Sequence, residues 1–168
     1  DSGQIFLGGT GLGIASDAAW STGTAPSNND RVYFIDKSAN WNNGSADFVY
    51  DYIFVDSNST VTLKHANSVS VNDIDLDGTI NIDKFSNNNT KENNITVNDN
   101  LNVEGTLNIS PPSSLTVNGN FTNNGTFTLD SDSVEFSSII VDGTPSGNIT
   151  YNRWVNSVDN GNGSTGWD

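Results

Sequence analysis

The stretch ITVNDNLNVEGTLNI, Ile95 to Ile109, aligns without a gap on LTVNGNFTNNGTFTL, Leu115 to Leu129, at a step of 20 residues. Both halves of the alignment are built from pairs of apolar residues that flank a single polar one. Alternation of this kind puts the apolar members on one side of an extended chain, so each pair reads as a very short strand. A third copy, VSVNDIDLDGTINI from Val69, joins the alignment once one residue is removed after Asp73. Self-similarity at a fixed step of about 20 residues is the mark of a solenoid, in which a turn cannot bury its apolar face alone and stacks on the next.

Outward from this core, the same pairs recur from Tyr52 to Val141: Ile53/Val55, Val61/Leu63, Val69/Val71, Ile74/Leu76, Ile80/Ile82, Ile95/Val97, Leu101/Val103, Leu107/Ile109, Leu115/Val117, Phe127/Leu129, Val134/Phe136 and Ile139/Val141, with Phe121 alone. The pattern predicts one all-β domain, a short parallel and right-handed β-helix with rungs of about 20 residues and capped ends. The alternative is a β-sandwich. Residues 1–50 read as an N-terminal cap with the first strands, 51–146 as the rungs, and 147–168 as a C-terminal cap or tail leading to a further segment. The polar run from Asp83 to Asn94 reads as a loop inserted between two rungs.

The aligned columns predict how the corners work. Asn72, Asn98 and Asn118 follow the stacked valines Val71, Val97 and Val117, where Asn tolerates a left-handed backbone and can bond to the Asn of the next rung. Gly78, Gly105 and Gly125 share another turn column, each followed by Thr, and are expected to supply a positive φ there.

Composition narrows the function. Six Lys and Arg stand against twenty Asp and Glu, a formal charge of −14, so a nucleic-acid partner would be repelled. No apolar run approaches the roughly 20 residues of a membrane span, and membrane insertion is not expected. The mean hydropathy is −0.43, yet the apolar residues are regularly spaced, which argues against disorder. Without Cys there are no disulfides and no thiolate metal sites. The chain opens on Asp1 and holds no Met, which reads as a processed product or an excised piece of something longer.

Three motifs invite chemistry. Asp73-x-Asp75-x-Asp77-Gly78 imitates the start of a calcium loop, with Ile80 at the apolar position and Lys84 where a bidentate Glu belongs. It reads first as a solvated strand and turn, and second as calcium ligands; no other cofactor is expected. Flat rings match the apolar faces of sugars, so Trp41, Tyr52 and Trp154 are candidate glycan-stacking residues. The competing reading has Trp20, Trp41, Tyr50, Tyr52, Tyr151, Trp154 and Trp167 closing the ends of the core. Catalysis is not expected: the acids are dispersed, and only Lys64, His65, Lys84 and Lys91 stand near them in the repeats.

The segments WSTGTAPSNNDRVYFID at Trp20, GNFTNNGTFTL at Gly119 and GNITYNRWVNS at Gly147 resemble modules of large secreted proteins of the Bacteroidetes, flavobacteria above all. The resemblance implies export to the cell surface by type IX secretion and a role in adhesion, gliding or polysaccharide handling. Asp132-Ser133-Val134 resembles the O-glycosylation acceptor of such exported proteins. The expected function is therefore a non-catalytic structural or adhesive segment of a secreted bacterial surface protein, with a glycan or a surface protein as ligand. The alternative is a carbohydrate-binding module of a polysaccharide-degrading enzyme.

Overall fold

The computed structural model describes residues 3–8, 19–41, 48–64, 68–84, 93–155, 158–159 and 165–166. The strands are β1 (Gln4–Phe6), β2 (Arg31–Phe34), β3 (Ala39–Trp41), β4 (Phe48–Val55), β5 (Thr60–Leu63), β6 (Val69–Leu76), β7 (Thr79–Ile82), β8 (Asn94–Val97), β9 (Leu101–Val103), β10 (Thr106–Ile109), β11 (Ser114–Val117), β12 (Phe121–Asn123), β13 (Thr126–Asp130), β14 (Ser138–Val141), β15 (Pro145–Gly147) and β16 (Thr150–Asn152), with a two-stranded ribbon of β17 (Val158–Asp159) and β18 (Thr165–Gly166). They wind into a parallel β-solenoid of about five turns with rungs of about 22 residues.

Each rung passes over three faces. Face one stacks the first half of β4, the first half of β6, then β8, β11 and β14. Face two stacks β1, β2, the second halves of β4 and β6, then β9, β12 and β15. Face three stacks β3, β5, β7, β10, β13 and β16. Every pairing between these strands is parallel, which rules out the sandwich, an architecture built on antiparallel neighbours. In β4 and β6 the chain rounds the first corner without leaving strand geometry; in later rungs the corner is a turn.

The predicted register holds where it was strongest, with Val97 opposite Val117 and Leu107 opposite Phe127. The step is not 20 residues throughout. Val69 pairs with Ile95 and Leu115 with Ile139, longer steps that absorb the segments after Ile82 and Leu129. The parallel register survives because a solenoid tolerates extra residues at a corner when the strands on either side realign.

Two inward columns per face make the core. On face one Val71, Val97 and Val117 lie under one another, on face two Ile53, Ile74, Leu101 and Phe121, and on face three Val61, Ile80, Leu107 and Phe127, all 4 % exposed or less. Within the first fifty residues β2 and β3 already form a rung. The cap proper is an antiparallel strip over β1: Phe6 bridges Trp20, Leu7 N–H donates to Ala19 O at 2.7 Å and Ser21 N–H to Ile5 O at 2.9 Å. It covers an edge that would otherwise recruit another strand. Beneath it, Phe6, Trp20, Phe34, Trp41 and Tyr50 pack ring to ring, with centroids 5.1–6.0 Å apart. Large rings plug this end, and aliphatic residues fill the rungs behind them.

The glycine column answers to a different cause from the one expected. Gly78, Gly105 and Gly125 are not among the residues with positive φ. Instead, a Cβ on Gly105 would overlap the backbone oxygens of Gly78 and Asp77, and one on Gly125 those of Gly105 and Glu104. Glycine is required because the turns stack backbone on backbone. The Asn column likewise needs no left-handed φ, which among the described non-glycine residues belongs to Asn29 and Asp36.

Candidate functional site

The outer surface is organised in rows of side chains running up the stack. In the longest row, Asn118 Nδ2 donates to Asn98 Oδ1 at 3.3 Å, Asn98 Nδ2 to Asn72 Oδ1 at 3.2 Å, and Asn72 Nδ2 to Asp51 Oδ1 at 3.2 Å. Arg31 Nε closes it on Asp51 Oδ2 at 2.9 Å. An amide both donates and accepts, so it can continue a row in one direction, whereas a carboxylate only accepts and needs a donor on each side. Asp51 has both, its carboxyl held below the usual range first by Arg31 and then by Asn72. Both members of that ion pair are more than a third exposed, so the pair adds little stability.

Two acids of the would-be calcium loop, Asp73 and Asp75, are engaged in the same way. Asp73 Oδ1 accepts from the backbone N–H of Asn100 at 3.0 Å and from its Nδ2 at 2.9 Å, and Asn120 donates to Asn100 at 3.1 Å. Asp75 accepts from Asn102 Nδ2 at 2.7 Å and from the Tyr52 hydroxyl at 2.6 Å. Asp73 and Asp75 lie in β6, an extended strand, and Asp77 begins a turn stacked on Val55, to whose carbonyl its N–H donates at 2.9 Å. Calcium needs six to eight oxygens converging at about 2.3–2.6 Å, which a closed loop provides and a strand does not. The motif is strand and turn, and the calcium reading is corrected accordingly. Among the described residues no group of three or more His, Asp or Glu could hold a metal.

The three candidate stacking residues fall in three different places. Trp41 is 2 % exposed, packed between Phe34 and Tyr50 in the core. It offers no ring face to a ligand, and that assignment is corrected; its Nε1 is buried without a hydrogen bond. Tyr52 lies on the outside of face two beside Tyr33 and Phe54, but the Arg31 guanidinium covers its ring at 5.2 Å. Its ring is tilted 58° from that of Tyr33, so the group is no flat platform. Burial, and then Asp75, raise the Tyr52 phenol well above its ordinary pKa.

Trp154 is half exposed and lines a cleft of about 230 Å³ with Ser131, Asp132, Val134, Glu135, Phe136, Tyr151 and Arg153. One wall is the excursion 131–137. Asp132 Oδ1 accepts from the N–H groups of Val134 and Glu135, both at 2.8 Å, Ser131 bridges Phe136, and Ser137 returns to Asp130 O. The other wall follows β16, tied down by Ser131 N–H to Asn152 O at 3.0 Å and Trp154 N–H to Ser131 Oγ at 2.5 Å. The two backbone N–H groups hold the Asp132 carboxyl below its ordinary range, so it is ionised at neutral pH.

This wall corrects the strand pair Val134/Phe136. The two residues are 82 % and 65 % exposed, because the Asp132 side chain captures the following N–H groups and folds the segment into a turn. The signal available in sequence was the D-S-D-S stretch before Val134. Ser133 is exposed on this loop. His65, Lys91, Trp167 and positions 85–92 of the expected loop lie outside the described residues. Among the described residues no helix is long and apolar enough to cross a membrane. Compared with family models, curated proteins and solved structures, the chain matches none.

Proposed function

We propose that this chain is a non-catalytic structural and adhesive segment of a secreted bacterial surface protein: the rungs form a stiff spacer and the exposed corner loops make the contacts. The observation that carries the reading is the set of side-chain rows. The acids Asp51, Asp73 and Asp75, which composition offers for acid-base work, are committed as acceptors to residues of neighbouring rungs, and they tie the rungs together. Export and surface location rest on the resemblance to flavobacterial surface modules. A second reading, a carbohydrate-binding module of a polysaccharide-degrading enzyme, is favoured by the aromatic cleft around Trp154.

The test is to coat beads with the chain, flow them over plant and algal polysaccharide films, and record retention together with the saccharides in the effluent. The expected result is retention without release of soluble oligosaccharides. Released products overturn the non-catalytic reading, and retention no better than that of denatured chain overturns the adhesive one.

A further inference from the structure

We infer that the cleft between the 131–137 excursion and the segment after β16 binds a single terminal residue of a neutral polysaccharide, an inference that deepens the adhesive reading and rests on it. The argument begins with size. At about 230 Å³ the cleft lies below the roughly 300–1,000 Å³ of sites that enclose drug-sized ligands, which suits one sugar ring and not a run of them. It is also a corner between two segments, not a groove along a face, so a chain end fits better than a chain passing through.

The lining supplies both surfaces a pyranose needs. Phe136, Tyr151 and Trp154 are 65 %, 48 % and 54 % exposed, an aromatic cluster on a soluble surface of the kind that marks a contact site. Their walls converge from two segments that hydrogen bonds hold in place, so the backbone that carries the rings is positioned before a ligand arrives. Around them stand complementary polar groups. Arg153 donates, while Asp132 and Glu135 accept, and a sugar hydroxyl does both. Asp132 receives its two backbone bonds on Oδ1, which leaves Oδ2 for a ligand.

Charge selects within the sugars. Asp132 and Glu135 stand against Arg153 in the lining, with Lys84 within electrostatic reach of Asp132, so the cleft itself is balanced, and it is the −14 of the whole chain that repels uronate and sulfated chains. A cationic ligand meets Arg153 at the same spot. The chemistry left is a neutral, hydroxyl-rich ring.

The test uses the full chain and calorimetric titration with oligosaccharides of β-1,3-glucan, β-1,4-glucan, β-mannan, xylan and galactan, with alginate and polygalacturonate as anionic counterparts. At least one neutral oligosaccharide is expected to bind, with an affinity that does not grow with its length. Trp154→Ala and Phe136→Ala should each weaken it by about tenfold or more, with Tyr52→Ala within about twofold of the parent. Phe136 sits on the exposed loop, so its variant keeps the test valid if Trp154→Ala fails to fold. No neutral binder, equal binding of alginate, or wild-type affinity in both cleft variants overturns the proposal. Bead retention that persists in those variants leaves adhesion standing and places its contact elsewhere.

Discussion

Replacing Gly105 with Ala puts one methyl group where the turns of successive rungs touch. The new Cβ would overlap the oxygens of Gly78 and Asp77 in the turn below, far inside the 3.0 Å that real Cβ atoms keep. The rung must open by about 1 Å to restore ordinary contact. Two backbone bonds span that gap, Gly105 N–H to Leu76 O at 2.9 Å and Thr106 N–H to Gly78 O at 2.7 Å. Opening would carry both past the roughly 3.2 Å limit of a sound hydrogen bond. Overpacking costs about 1–3 kcal/mol and each weakened backbone bond about 1 kcal/mol, so a loss of about 3–5 kcal/mol follows. For a chain of this size that lowers the melting temperature by roughly 6–20 °C. Gly23→Ala is the control. Gly23 has φ +72° and nothing within 4 Å, so only the left-handed backbone is penalised, by about 1–2 kcal/mol. Melting followed by circular dichroism ranks the two. If Gly105→Ala melts with the parent, or no lower than Gly23→Ala, the turns do not stack as described.

Asn98→Ala removes the middle of the longest row, orphaning Asn72 Oδ1 and the Nδ2 of Asn118; urea unfolding should show a loss of about 1–2 kcal/mol, coupled to that of Asn118→Ala in a double-mutant cycle. Trp41→Ala should cost about 3–5 kcal/mol as a core truncation, while Trp154→Ala stays within about 0.5 kcal/mol as a surface change; the same unfolding curves read both. The Asp56 carboxyl is held below its ordinary 3.8 first by the Ser59 hydroxyl and then by backbone N–H groups of Asp36, Asn58 and Ser59. A depressed folded pKa stabilises above the unfolded value, and that share is lost as pH falls through the folded one. Melting temperature should therefore drop below pH 4, and drop less steeply in Asp56→Asn.

The rungs from β4 to β13 were legible because alternation and stacking act together. Val97 and Val117 are both two residues from their partners in the pair and 20 apart from each other, so one pattern gives strand and register at once. The corners were legible in position but not in cause: Gly105 reads as a residue chosen for φ until the rung beneath it is known, since close approach between turns is a tertiary fact. Val134 and Phe136 misled for a related reason. Their spacing is that of a strand, but the Asp132 carboxylate competes for the backbone N–H groups and wins locally. Trp41, Tyr52 and Trp154 were not separable from one another in the sequence, because a ring near a solenoid end serves a plug or a platform with the same residue type. Arg153, Glu135 and Phe136 joined the cleft only through the fold that brings the excursion against the end of β16.

The most direct measurement is a set of methyl-to-methyl nuclear Overhauser contacts among Val71, Val97, Val117 and Val141, which occupy one inward column. Neighbouring strands lie about 4.8 Å apart, so cross-peaks should link Val71 to Val97, Val97 to Val117, and Val117 to Val141, with none that skip a rung. Strong contacts between Val71 and Val117 with none to Val97, or a Val97 whose neighbours all come from an opposing sheet, would contradict the stacked-rung account.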